Sequence, residues 1–168
     1  MPTVWEWLCE SDSTWSIKTF HSRGAEDYKR TAGVIAFDGR VTLTVDEQLM
    51  RNARKGCKLS NFTLAHELGH LALDHHASSA VTKNFRLFSG PSGESNIPPT
   101  AEELEANYAA VFFQCGVALF DDQFDALALA NRAFCDVPWV KKAQRAVRTT
   151  PFRLNYERLI RPKRRVVL

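Results

Sequence analysis

Four of the chain's five histidines fall within FTLAHELGHLALDHH, residues 62–76, and two of them, His66 and His70, bracket a glutamate as H-E-x-x-H. On a helix, positions i and i+4 share a face, so both imidazoles can point at one ion. Glu67 projects beside them, close enough to hold a water without being a ligand itself. A zinc ion with two imidazoles and one further protein ligand keeps a position open for that water, whose proton the glutamate is placed to accept. A shuffled chain of this composition would contain the pattern about one time in a hundred, so the flanking residues decide its meaning. Leu64, Ala65, Leu68, Leu71, Ala72 and Leu73 describe a helix packed in the core. Ionisable groups are rarely buried in such a place without a partner. Gly69 is costly inside a helix and implies that something approaches the backbone closely.

A third ligand has two sources. His76 stands at the spacing of the pattern H-E-x-x-H-x-x-G-x-x-H, but that pattern needs a glycine where this chain has Leu73, and a downstream methionine turn. The two methionines, Met1 and Met50, both lie upstream. The other source is a carboxylate from a second helix, where EELEAN offers Glu102, Glu103 and Glu105. Three glutamates at a helix start are ordinarily a solvated first turn favoured by the helix dipole. With the upstream pair still short of a ligand, the expectation moves to metal binding through Glu103. Asn107, four residues on, is then placed to orient a ligand or a histidine. Tyr108 and His76 are further candidates for an oxyanion donor, against the plainer readings of a half-buried structural tyrosine and a histidine meeting the last helix carbonyls. His75 is likewise a candidate for metal binding or oxyanion donation, against the same plainer reading.

The elements that must hold these groups follow from the pattern. Trp5, Leu8 and Cys9 fit one helical face near the start. Strands are expected over Gly33–Phe37 and Val41–Val45, joined by the turn-former Asp38-Gly39. The H-E-x-x-H helix follows, with Ser60 or Asn61 as its candidate N-cap. SGPSGESNIPPT (89–100) is a clear loop, and PTAEELEANYAAVFFQCGVALF reads as helical. Another helix is expected over DDQFDALALANRAF, capped by Asp121 or Asp122, and one more from Pro138 through residue 148. The fold class is therefore α+β: a short β-meander, the helix with the histidines, then C-terminal helices. One domain suffices for 168 residues. Residues 1–120 form its core, 121–158 a helical part with a helix-turn-helix look, and 159–168 a basic tail.

Composition narrows the class further. The chain is 45% hydrophobic and 24% charged, as ordinary globular proteins are. No apolar run has the length of a membrane span, and no secretory signal is visible, so the cytoplasm is the expected compartment. The four cysteines, Cys9, Cys57, Cys115 and Cys135, form no C-x-x-C pair and read as reduced and buried. The net charge of +3 divides into −6 before Lys141 and +9 from there on. That basic end invites weak, non-specific nucleic-acid contact or docking on an acidic partner, against a solvated terminus. Lys141, Lys142, Arg145 and Arg148 on the last expected helix invite a DNA-reading role as well, although a basic helix is ordinarily a solvated face.

NFTLAHELGHLALDHH followed by EELEANYAA resembles the ImmA/IrrE family of bacterial and phage zinc metallopeptidases. Its paired motifs, F-T-x-A-H-E-x-G-H and E-x-x-A-N-x-F-A, match at Phe62, Thr63, Ala65, His66, Glu67, Gly69 and His70, and again at Glu103, Ala106, Asn107 and Ala110. The resemblance covers roughly residues 30 to 148. It implies a zincin-like core and a gluzincin-like site in which His66, His70 and Glu103 bind Zn2+ and Glu67 is the general base. It also implies a protein substrate, a helix-turn-helix repressor of stress responses or mobile elements. The sequence departs from the family at Ala109, where a phenylalanine is usual, and at FFQCG, where L-L-M-P is usual, so the implied substrate need not be the family's. Two rivals stand beside the peptidase: a zinc-stabilised interaction module of antirepressor type without catalysis, and a DNA-binding regulator.

Overall fold

The computed structural model describes residues 1–26, 29–75 and 100–160. Their order is α1 (Pro2–Ser11), β1 (Trp15–Phe20), β2 (Ala32–Phe37), β3 (Arg40–Asp46), α2 (Glu47–Arg54), α3 (Lys58–Ala72), α4 (Ala101–Cys115), a 3-10 turn (Gly116–Phe120), α5 (Ala126–Arg132), α6 (Val137–Val147) and α7 (Thr150–Ile160). This is an α+β chain with seven α-helices and one three-stranded sheet among the described residues.

The expected hairpin is present. Asp38 and Gly39 both have positive φ, 48° and 69°, as a two-residue turn between right-twisted strands requires. It is not a simple meander, however. The sheet order is β1-β3-β2, with β2 antiparallel and β1 parallel to the central β3. Strand β1 alternates Trp15, Ile17 and Thr19 with Ser16 and Lys18, a short and partly polar run that carries a weak strand signal.

Helix α3 is the hub because it is buried nearly all round, from Ser60 through Glu67 and at Gly69 and His70. On one side Leu64 joins Trp5, Val34, Leu43, Val45 and Leu49 in the core under the sheet. The Trp5 indole N–H also donates to the Leu64 carbonyl at 3.0 Å. On the other side Phe62 and Ala65 enter a second core with Val111, Leu119, Leu129, Val140 and Val147. Helix α7 docks there through Phe152, stacked on Phe112, and Tyr156, stacked on Phe120.

Several boundaries differ from expectation. Helix α3 starts earlier than a Ser60 or Asn61 cap allows, at Lys58. Its N-cap is Cys57, and Asn61 is spent inside the helix, donating to the Ala53 and Cys57 carbonyls. Helix α5 is capped by Asp125, whose carboxylate accepts from the Ala128 N–H at 2.6 Å; Asp121 and Asp122 precede it in a turn. Helices α2 and α7 were not anticipated. Helix α7 runs to Ile160, two residues into the expected tail, and residues 161–168 lie outside the described residues. So does the loop expected over 89–100, except for Thr100. No helix among the described residues is long and apolar enough to cross a membrane.

Candidate metal centre

Helix α4 crosses α3 where a glycine lets it. A Cβ added at Gly69 would lie 2.9 Å from the Ala106 carbonyl oxygen and 3.1 Å from the Ala109 Cβ. The close approach foreseen from Gly69 is therefore the backbone of α4. Ala109 forms part of that contact. Thr100 caps α4, its hydroxyl accepting from the Glu103 N–H at 3.3 Å, which fixes Glu103 in the first turn with its side chain toward α3.

Three side chains from the two helices then meet. His66 Nε2 and His70 Nε2 are 2.9 Å apart. Glu103 Oε2 lies 3.2 Å from His66 Nε2, and Oε1 lies 3.6 Å from His70 Nε2. One ligand atom from each falls within 4.8 Å of the others. Ligands at 2.0–2.1 Å from a tetrahedral zinc stand about 3.3 Å from one another, and the three observed separations bracket that value. Glu102 and Glu105 stay outside the three.

The donor chemistry fits a cation. His66 Nδ1 faces the Asn107 Oδ1 at 3.0 Å; with the ring proton there, Nε2 would offer its lone pair to an ion. Burial holds His66 below the usual histidine range, against the pull of Glu103. Hydrogen bonds from His66 and then His70 hold the Glu103 carboxyl far below its usual range, although burial opposes them. Neutral imidazole and ionised carboxylate are the protonation states a metal needs.

Glu67 sits beside this group, 1% exposed. Burial, and next the negative charge of Glu103, push its carboxyl well above the usual range, with the Val34 backbone amide pulling the other way. Its Oε1 is buried and has no hydrogen-bond partner among the described residues. A buried carboxylate oxygen left so is costly unless it serves a ligand or water. Asn107 meets His66, one of the three, at its Nδ1. Tyr108 is not brought into the group. Its ring stands edge-on to Trp139 at 5.5 Å, where it packs α4 against α6. His76 lies outside the described residues.

His75 makes contacts that the sequence did not point to. His75 does not meet the last helix carbonyls with its side chain: its Nδ1 lies 2.9 Å from His70 Nδ1, and its Nε2 lies 3.1 Å from Glu105 Oε2. Only its position five residues after His70, just past the helix end, could have signalled this. The basic residues of α6 are partly engaged. Lys142 Nζ lies over the Trp139 ring at 4.4 Å, and Arg148 pairs with Asp122 at 2.8 Å. No family model matches the chain, and no curated relative or solved structure does either.

Proposed function

We propose that the chain is a zinc-dependent metallopeptidase with a zincin-like core, His66, His70 and Glu103 holding the ion and Glu67 acting as general base. The observation that carries this reading is the unpartnered Oε1 of buried Glu67 beside three converging donor atoms. A pure binding site needs the three donors but has no use for a fourth, acidic side chain kept dry at its edge.

Zinc held by the three donors would supply Lewis acidity, polarising a scissile carbonyl and acidifying water. The protein's own part is proton handling and exclusion of solvent. Glu67, buried beside the three donors with Oε1 unpartnered, is suited to take a proton there and to release it to the leaving amine. His66 is kept neutral by burial and is turned by Asn107. The resemblance of 62–76 and 102–110 to ImmA/IrrE peptidases supports a helix-turn-helix repressor as substrate, cut at a specific site in the cytoplasm.

The test is co-expression with helix-turn-helix repressors encoded beside the gene, wild type against Glu67→Gln. The amide keeps size and zinc content but loses basicity, so cleavage should fall about 10²–10⁴-fold. A repressor inactivated equally by both forms would replace the peptidase with a zinc-built binding module.

A further inference from the structure

We infer that His75 and Glu105 are positioning residues for His70, forming a two-step hydrogen-bond relay that sets the ring angle and basicity of that ligand. The inference rests on the metal-site reading above and extends it to residues outside the three donors.

The backbone places His75 deliberately. Helix α3 ends with Leu73 as C-cap, and Asp74 follows with φ of 56°, the left-handed conformation that aspartate tolerates better than most side chains. The Asp74 N–H bonds the Leu71 carbonyl at 3.1 Å and the His75 N–H bonds the His70 carbonyl at 3.0 Å. These two bonds make the Schellman closure, which folds the residue after the left-handed one back over the last turn. The His75 side chain is thereby only 7% exposed and lies against the His70 ring, centroids 5.1 Å apart.

Proton bookkeeping then gives one direction. If His70 Nε2 offers its lone pair to an ion, its proton is on Nδ1 and must be donated. The acceptor 2.9 Å away is His75 Nδ1, so His75 carries its proton on Nε2. That N–H donates in turn to Glu105 Oε2 at 3.1 Å. The two ligand histidines are thus supported differently: His66 by the nearly buried amide of Asn107, His70 by a second imidazole backed by a carboxylate 62% exposed. Helix α4 holds the site twice, directly through Glu103 and at one remove through Glu105. Partners of this kind fix the ring and raise ligand basicity, and their loss typically weakens metal binding about 10–100-fold.

The experiment is cobalt and zinc binding to the full chain, by competition with a chromophoric chelator, with the visible spectrum of bound cobalt as second readout. His75→Ala should bind about 10–100-fold more weakly, with a shifted cobalt spectrum. His75→Asn, whose Oδ1 can occupy the place of Nδ1 and accept from His70, should recover most of the affinity and the spectrum. Glu105→Ala is at an exposed position and should weaken binding several-fold with an unchanged circular dichroism spectrum, while Glu105→Gln loses less. Wild-type affinity and spectrum in His75→Ala would overturn the relay and leave the metal site standing, as would a folded His75→Asn no better than His75→Ala. Absence of metal binding by wild type would overturn both. Metal bound with the expected ranking of variants, but no repressor cleaved, would uphold the relay and remove the peptidase.

Discussion

Helices α3 and α6 each carry at least three ionisable side chains, and the fold treats them in opposite ways. In α6 the residues Val140, Ala143 and Val147 face the core while Lys141, Lys142 and Arg145 stay in solvent, the ordinary division of an amphipathic helix. In α3 the residues His66, Glu67 and His70 are 0%, 1% and 2% exposed, and apolar side chains bury the remaining faces. A charge on α6 keeps its hydration and needs nothing further. Polar groups on α3 have lost theirs, and each must be offset by a named neighbour or by an ion. Burial, more than charge count, marks which ionisable residues the architecture was shaped around.

The strongest way to break that contrast is to compare the chain with and without zinc. Zinc that binds the folded chain and not the unfolded one should stabilise it by about 4 kcal/mol at a thousandfold excess over its dissociation constant. Thermal melts in zinc and in chelator should therefore differ by many degrees for wild type. The gap should vanish in His66→Ala and Glu103→Ala and persist in Lys141→Gln. Identical melts for wild type in both conditions would remove the distinction between the two helices.

The next effect comes from a second buried charge, at the start of α2. Asp46 is 1% exposed, caps α2 by accepting from the Gln48 and Leu49 N–H groups, accepts from the Ser22 N–H, and pairs with Arg30 at 3.1 Å. Burial alone would raise its carboxyl, but hydrogen bonds from Ser22, Leu49 and Arg30 prevail and leave it below the usual range. Its contribution is accordingly present above the ordinary carboxylate value of about 3.9 and is lost as pH falls through the lower folded value. Asp46→Ala should cost about 3 kcal/mol at neutral pH. Denaturant melts should show the deficit shrinking toward strong acid, and a deficit that stays constant with pH would assign it to helix capping without the charge.

The sequence was informative where one local signal had one meaning. Spacing put His66 and His70 on one face, Asp38-Gly39 announced a left-handed turn, and Gly69 announced a close approach. Glu103 was reachable because the histidine pair lacked a ligand and Asn107 lay one turn beyond. Strand β1 was missed because its membership depends on pairing with a strand 26 residues away, between Trp15 and Val41. The cap of α5 was misplaced because Asp121, Asp122 and Asp125 compete within about one turn, and that of α3 because its N-cap, Cys57, makes no side-chain capping bond and so leaves no signal. The role of His75 depends on a backbone turn at Asp74 whose left-handed φ is not signalled by a glycine. Tyr108 shows the converse, a side chain plausible by proximity in sequence that the helix rotates onto Trp139.

A smaller effect is expected from the crossing itself. Gly69→Ala places a methyl 2.9 Å from a backbone oxygen of α4, which cannot swing aside as a side chain would. The helices must separate by a few tenths of an ångström, at a cost of about 1–3 kcal/mol. Because Glu103 rides on α4 and the histidines on α3, metal affinity should fall with it. Unfolding and metal titrations on the same protein would separate the two effects, and lost stability with unchanged affinity would mean that the donors adjust independently of the crossing.

The smallest effect should come from α6. Replacing Lys141 or Arg145 with Gln leaves Val140, Ala143 and Val147 in place, so stability should stay within about 0.5 kcal/mol of wild type and zinc content should be unchanged. The same variants address the nucleic-acid rival directly. If this face met phosphates, each charge removed would lower the slope of log affinity against log salt by about one unit, measured by fluorescence anisotropy on a duplex. The neighbouring cations are partly committed elsewhere, Lys142 to the Trp139 ring and Arg148 to Asp122, which leaves little of the helix to follow a DNA backbone. We therefore expect weak binding with a slope that the Lys141→Gln, Arg145→Gln pair does not change. A slope reduced by two in that pair would turn the solvated face of α6 into a binding surface and make the contrast with α3 one between two functional sites.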